Sequence, residues 1–374
     1  MESVAVVGRF PPPLDGQAVA TARLADLVDG PDRAVVRVDV GAPEGDRVVA
    51  PGTAPLRRVA HTLGLASRVR RQLATAPGAP VLWPSVSPSP LGHARDRLTV
   101  VPAFGDRPVV GVVHRGDFDR LFASPWTRRS GRQLVRRLAA LVFLTERLAD
   151  ACADHVPDAK RVVIPNTIGD DVIPGAAVIA DKQQSWSARP DRARLRLLYL
   201  SAMIPSKGYA RVLEATAVLR ERRVPVRTTF AGRWPSEAAE RAFARRVQQL
   251  GLADCVDVRG GVSREEAGAL HLAADLLVLP TTYPVEAQPL VVLEALAAGT
   301  PVLASRHAGL PEMLSDGHEG FFIRSDDPSD IAHAAQRAAA DWPARSRAAR
   351  HRFEQAYSPA AVREQWLELI ARLG

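Results

Sequence analysis

The stretch PVEAQPLVVLEALAAGTPV, residues 284–302, sets two glutamates eight positions apart, Glu286 and Glu294. An apolar run, DLLVLP (275–280), precedes it and reads as a buried strand. Pro289 suits a first helical turn, where a missing N–H costs nothing, and Gly299 suits a helix end. The spacing therefore predicts strand, loop, then a helix starting near Ala287–Leu290. Such a helix aims its free N–H groups at whatever lies beyond the strand end, and these attract anions such as a diphosphate. Glu286 stands just before that anion site. Glu294 lies a turn inside an apolar helix, where a carboxylate needs a hydrogen-bonding partner such as a pair of ribose hydroxyls. The bland alternative makes Glu286 a helix-terminus acid and Glu294 an exposed one.

Outward from this stretch the same alternation repeats. In the second half, strands are expected at 196–201, 226–232, 255–260, 275–280, 301–305 and 320–323, with amphipathic helices between them. Ser263 and Glu266 have capping-box spacing. In the first half, apolar runs at 3–8, 34–40, 80–84, 108–114, 141–145 and 161–166 alternate with helices near 57–76, 128–140 and 146–155. Short apolar strands alternating with helices imply parallel sheets covered on both faces. The expected fold class is α/β, two Rossmann-like doubly wound domains facing across a cleft. The boundaries read as 1–169 for the first domain, 170–194 for a linker rich in Pro, Gly, Ser and charge, 195–345 for the second domain, and 346–374 for a C-terminal helical segment. In such folds ligands sit at the carboxyl ends of strands.

The bulk numbers limit the function classes. With 374 residues, 47% hydrophobic and 24% charged, the chain is a globular protein of about two ordinary domains. No apolar run approaches the ~18 residues of a membrane span. The start, MESVAVVGRFPPP, lacks a basic segment and a long apolar segment, so no signal peptide is expected. Cys152 and Cys255 are the only cysteines, which suits a cytoplasmic, disulfide-free protein. The net charge is +8, and of 49 basic residues only Lys160, Lys182 and Lys207 are lysines. Aromatic residues make up 5%, too few for nucleic-acid stacking platforms, so no nucleic-acid partner is expected. The arginine-rich stretches 68–74 and 128–137 are helix faces turned to solvent or to a membrane surface. Walker, Gly-x-Ser-x-Gly, His-Glu-x-x-His and Cys-x-x-Cys patterns are absent, and the first strand–helix turn lacks Gly-x-Gly-x-x-Gly. Asp117-Phe118-Asp119 matches a metal-binding Asp-x-Asp only by its three letters, and is read as a helix-start acid pair; no metal and no cofactor are expected.

The strand–Glu–x7–Glu–helix–AAGTPV arrangement resembles the signature of the large retaining glycosyltransferase family 4, whose fold is GT-B. The resemblance extends over nearly the whole chain, and it implies that the helical segment 346–374 crosses back to the first domain. It implies a nucleoside-diphosphate-sugar donor and transfer of a hexose-type sugar to an acceptor hydroxyl. The acceptor would be a small molecule, a lipid-linked glycan or a polysaccharide. By this resemblance Glu286 touches the donor sugar, Glu294 holds the ribose, and Lys207 of YLSAMIPSKGYARVLEA (199–215) binds the diphosphate. Ala287, Gln288, Pro289 and Leu290 line the donor site, with Gly232 and Gly260 at the next two strand ends. Gly16 in the first loop lets backbone approach the donor, and His114 at the end of VVHRGDF (112–118) is an active-site histidine. One departure stands out. Ser201-Ala202 occupies the place of a usual Gly-Arg, so one cation is missing, with Arg9, Arg115 or Arg233 as substitutes. The first loop also has Asp15-Gly16 where two glycines are usual. The rival readings are a GT-B nucleotide-sugar epimerase and a non-catalytic sugar-nucleotide-binding homologue.

Overall fold

The structure is a computed structural model that describes residues 2–12, 16–41, 55–84, 86–189 and 194–373, with backbone only at 16 and 55–63. The chain divides into two units, residues 1–166 with 362–374, and residues 167–361.

The first unit holds a parallel sheet of β1 (Glu2–Gly8), β2 (Arg33–Asp39), β3 (Val81–Trp83), β4 (Val109–Val113), β5 (Ala140–Phe143) and β6 (Arg161–Val163), in the order β2-β1-β3-β4-β5-β6. Every residue of β4 and β5 is buried, which is why these strands read as unbroken apolar runs and not as alternating ones. The helices are α1 (Gly16–Val28), α2 (Pro55–Leu73), α3 (Pro90–Leu98), α4 (Pro125–Arg137) and α5 (Glu146–Asp150). Ser89, Ser124 and Thr145 cap α3, α4 and α5 by accepting from backbone N–H groups three residues on. Helix α3 escapes the sequence reading because its pattern is inverted. It buries His93 and Asp96 while Leu91 and Leu98 face out.

The second unit repeats the architecture with β7 (Leu195–Leu200), β8 (Val226–Ala231), β9 (Val256–Val258), β10 (Leu276–Leu279), β11 (Val302–Ser305) and β12 (Gly320–Ile323). All pair in parallel, in the order β12-β11-β10-β7-β8-β9. Its helices are α6 (Ala176–Ser187), α7 (Tyr209–Glu221), α8 (Glu237–Gln249), α9 (Arg264–Ala273), α10 (Leu290–Ala297), α11 (Leu310–Met313), α12 (Pro328–Ala340) and α13 (Trp342–Ala356). The Ser263–Glu266 pair forms a complete capping box at the start of α9. The expected pair of doubly wound α/β domains is the fold observed.

Two boundaries move. Within the segment read as a linker, residues 170–172 form a short 3-10 turn and 176–187 form α6, both in the second unit. The helix was illegible because only Ile179 is buried along it; its anchorage is Trp186 stacked on Trp342 at 4.6 Å, and Lys182. Residues 190–193 of that segment lie outside the described residues. At the far end, α13 belongs to the second unit, and the return to the first begins only at Val362, in the first turn of α14 (Pro359–Ala371). There Val362, Trp366, Leu369 and Ile370 are buried in one cluster with Val4, Val6, Leu82, Val110 and Val142. Arg363 donates to the backbone oxygens of Leu27 and Asp29 at 2.9 and 3.0 Å. No described helix is long and apolar enough to cross a membrane.

Candidate functional site

In the second sheet β7 and β10 are neighbours, registered Leu197 to Leu276, and the chain proceeds from them in opposite directions along the sheet. That is the switch point of a doubly wound fold, where two loops diverge and leave a crevice at the strand ends. The loop after β7 passes Ser201–Met203, makes a 3-10 turn over Pro205–Lys207, and enters α7 through Gly208. The loop after β10 runs from Pro280 to Pro289.

The two loops are joined. Thr282 N–H donates to the Ser206 oxygen at 2.7 Å. Gly208 sits at φ 85°, and a Cβ there would stand 2.5 Å from the Pro280 oxygen. Only glycine allows both that backbone angle and that approach. The approach sets Lys207 against Glu286, and their ammonium and carboxylate form a direct ion pair. Lys207 Nζ also lies 4.8 Å from the centre of the Tyr283 ring. Thr281 Oγ1 donates to Glu286 Oε2 at 3.3 Å. Glu286 is only 8% exposed, so the lysine and threonine supply the partners that a buried carboxylate requires. Behind it, Ser305 Oγ holds the Thr281 oxygen at 2.5 Å and His307 Nε2 holds the Tyr283 oxygen at 2.7 Å.

Glu286 leads through buried Ala287 and Gln288 into Pro289, the N-cap of α10, which has no side-chain cap. The Ala287 oxygen accepts from Gly309 N–H at 3.0 Å, so the loop is held from both sides. Leu290 opens the helix, and the first-turn N–H groups carry the positive end of its dipole, about half an elementary charge. Nearby strand ends are equally tight. Gly232 N–H donates to the Gly260 oxygen at 2.6 Å, and a Cβ on Gly232 would meet the Ser201 oxygen at 1.7 Å. Gly232 thus admits the loop bearing Ser201-Ala202 against the end of β8.

Glu294 is placed differently from Glu286. It projects from the middle of α10 toward α9, with Oε2 3.7 Å from His271 Nε2. His271 is 1% exposed, and neither ring nitrogen has a hydrogen-bond partner among the described residues. Val172, Pro174, Arg264, Gly268 and Ala298 line a small pocket with these two side chains. Lys182 closes the far end of the same helix pair, donating to the oxygens of His271 at 3.0 Å and Ala298 at 3.1 Å, and to Thr300 Oγ1 at 2.5 Å.

Gly16 and His114 belong to the first unit. Gly16 begins α1, while Pro13, Leu14 and Asp15 of its loop lie outside the described residues. His114 follows β4 directly, its Nε2 buried without a partner among the described residues. Burial pulls its pKa down to about 4, so the imidazole is neutral near pH 7. Among the substitutes for the missing cation, Arg115 is engaged by Asp117 through two bonds at 2.9 and 2.8 Å. The same contact, with Arg120 at 3.6 Å, occupies the first acid of Asp117-Phe118-Asp119. Arg233 is exposed, and its backbone oxygen accepts from Met203 N–H at 3.0 Å, beside Ala202. Sequence reasoning missed Thr281, Tyr283, Ser206 and His271. Thr-Thr-Tyr after a strand has no distinctive spacing, and a lone histidine inside a helix carries no signal.

The fold and the switch-point loops define a class: two Rossmann-like parallel-sheet domains, the GT-B architecture. Residues 181–355 match the family model described as glycosyl transferases group 1. It is 29% identical to an MMP alpha-(1->4)-mannosyltransferase of Mycolicibacterium hassiacum, over 60% of this chain and 54% of that one. It is 33% identical to a D-inositol 3-phosphate glycosyltransferase of Streptomyces scabiei, over 54% of this chain and 46% of that one. The chain spans about half the length of the curated relatives it matches. Among solved structures it is similar to sucrose-phosphate synthase of Thermosynechococcus elongatus, with TM-score 0.76, 17% identity, and 100% and 99% of the two chains covered. Anabaena HepE in complex with UDP and glucose matches with TM-score 0.67 and 15% identity over 100% of both chains.

Proposed function

We propose that the chain is a retaining glycosyltransferase that moves a hexose-type sugar from a nucleoside-diphosphate sugar to an acceptor hydroxyl. The observation that carries this reading is the Lys207–Glu286 pair, held at the switch point in the loops that lead to the α10 N-terminus. A diphosphate takes the Lys207 ammonium as a cation and the first-turn N–H groups as preorganised donors, and so leaves with its charge already met. Glu286, released from the lysine, accepts hydrogen bonds from the sugar hydroxyls. Glu294 holds the ribose. Gly16, Gly232 and Gly260 let backbone approach the donor, His114 offers a neutral imidazole to the sugar, and Arg233 supplies the cation that Ala202 lacks. The bond from the anomeric carbon to the diphosphate oxygen breaks as the acceptor oxygen bonds to the same face. The acceptor proton passes to the departing phosphate oxygen, so no side-chain base is required.

The acceptor is a small molecule, a lipid-linked glycan or a polysaccharide, and the protein works in the cytoplasm or at the inner membrane face. A thermal-shift screen of nucleoside-diphosphate sugars, followed by product analysis with and without acceptors, tests the assignment. Stabilisation by one donor and an acceptor-dependent product with retained anomeric configuration are expected, and activity survives EDTA. An epimerised sugar without acceptor would favour the epimerase, and donor binding without any product the non-catalytic homologue.

A further inference from the structure

Arg264, Gly268 and His271 follow one another at helical spacing on α9, and the pocket they line is shared with Glu294 and Ala298 of α10. The His271 imidazole is buried, with no hydrogen-bond partner at either nitrogen among the described residues. A buried, unpaired polar ring costs free energy that an apolar side chain of the same size would not, so its presence asks for a reason. The acid facing it is Glu294, whose Oε2 lies 3.7 Å from His271 Nε2, just outside hydrogen-bond reach.

The imidazole is held in place from behind. The His271 backbone oxygen accepts from Lys182 Nζ at 3.0 Å and from Thr300 Oγ1 at 2.7 Å, and Lys182 also donates to the Ala298 oxygen at 3.1 Å. This clamp ties the last turn of α9 to the end of α10. Glu294 is the adjustable member of the pair: its side chain is long, turns about three bonds and is 24% exposed. Gly268, one turn before His271, would set a Cβ in open space, so α9 leaves the pocket clear at that point.

We propose that His271 is a positioning residue for the nucleoside: with a nucleoside diphosphate bound, Nε2–H donates to Glu294 Oε2, which fixes the carboxylate and leaves Oε1 to accept from the ribose. This rests on the ribose-holding role given to Glu294 above and adds what holds Glu294. A carboxylate pinned at one oxygen presents the other in one orientation, so a ribose hydroxyl meets a preorganised acceptor. The contact needs only the neutral tautomer that carries its proton on Nε2.

Calorimetry on the full chain with UDP, GDP and ADP, each beside its 2′-deoxy counterpart, is the test, read as the ratio of ribo to deoxy affinity. Wild type is expected to prefer the ribonucleotide by about tenfold. His271→Leu removes two unpaired nitrogens at similar volume, so it should melt no lower than wild type, yet the ratio should fall by about threefold or more. His271→Gln, whose amide can place an N–H near the position of Nε2, should restore most of the ratio. In Glu294→Ala the ratio should already be lost, and adding His271→Leu should lower it no further. A wild-type ratio in His271→Leu would overturn the proposal, and so would equal loss of ribo and deoxy affinity, the mark of a merely structural role. Failure of the two readings is distinguishable. A wild-type ratio in Glu294→Ala removes the ribose role of Glu294 and this inference with it, whereas a ratio lost there but kept in His271→Leu removes this inference alone. Absence of nucleotide binding in wild type would overturn both.

Discussion

Lys160, Lys182 and Lys207 are three lysines among 49 basic residues, and two of them do what arginine cannot. Lys160 Nζ converges on the oxygens of Val135, Arg136 and Leu138 at 3.1, 2.9 and 2.5 Å, closing the end of α4. Lys182 gathers three acceptors in the same way. An ammonium points three donors outward from one atom, whereas a guanidinium spreads its donors in a plane. Lys207 is the third, and its pairing with Glu286 separates the roles of the two residues. Lys207→Ala should weaken binding of free nucleoside diphosphate by about 1.5–3 kcal/mol. Glu286→Ala should leave diphosphate affinity unchanged or raised, since it frees the lysine, while turnover falls because the sugar is misplaced. Glu294→Ala should weaken diphosphate and donor alike. Calorimetry beside steady-state rates distinguishes these, and equal losses in both glutamate variants would reduce the motif to helix stability. His114 gives a pH prediction. Its folded pKa of about 4 lies below the ordinary 6.5, so the unfolded chain takes up the proton first as pH falls. Stability from this residue is complete above pH 6.5 and is lost as pH falls toward 4. His114→Asn should therefore lose less stability than the wild type between pH 7 and pH 5 in urea titrations. These residues were legible wherever they punctuated a strand end. The pairing itself was not, because nothing in the order of letters says that residue 207 touches residue 286.

At the scale of elements, legibility followed the burial pattern. Strands buried on both faces announce themselves as apolar runs, and β4, β5 and β10 were read within a few residues. Helix α10 was read from Pro289, its apolar run and Gly299, which sits at φ 58°. Helices α3 and α6 were not, since one buries polar residues and the other is fixed by a stacked tryptophan and a lysine. Such devices have no period. Lys182 is buried, which lowers its pKa to about 7, yet its three acceptors favour the charged form. Lys182→Met should strand the ends of α9 and α10 and cost about 2–4 kcal/mol by urea unfolding. Lys182→Arg should recover little of that loss. Gly208→Ala tests the join between the two loops. The left-handed backbone and the 2.5 Å approach to Pro280 both oppose a methyl group, so the loop should shift, and donor affinity should fall before thermal stability does.

The whole molecule is closed by α14. Trp366 is 4% exposed in a cluster with strands from the other end of the chain, and Trp366→Ala should cost the first unit about 3–5 kcal/mol. Hydrogen exchange should then rise across β1 and β4 and stay unchanged across β7 and β10; a uniform rise would contradict the division into units. The resemblance implied a return over 346–374, whereas the second unit keeps the chain through Ala361 and the first takes it from Val362. Connectivity gives this a further meaning. The second unit is one continuous run, 167–361, inserted into a first unit assembled from both ends of the sequence. Two covalent crossings therefore join the halves, and one cut at either crossing releases neither. The inserted half is encoded by a single uninterrupted run of sequence, whereas the host half cannot be obtained by truncation from one end. A gene fragment that stops before Val362 removes the closing helix of the domain that is synthesised first. During synthesis that domain must wait, with part of its core open, until the whole of the inserted one has emerged.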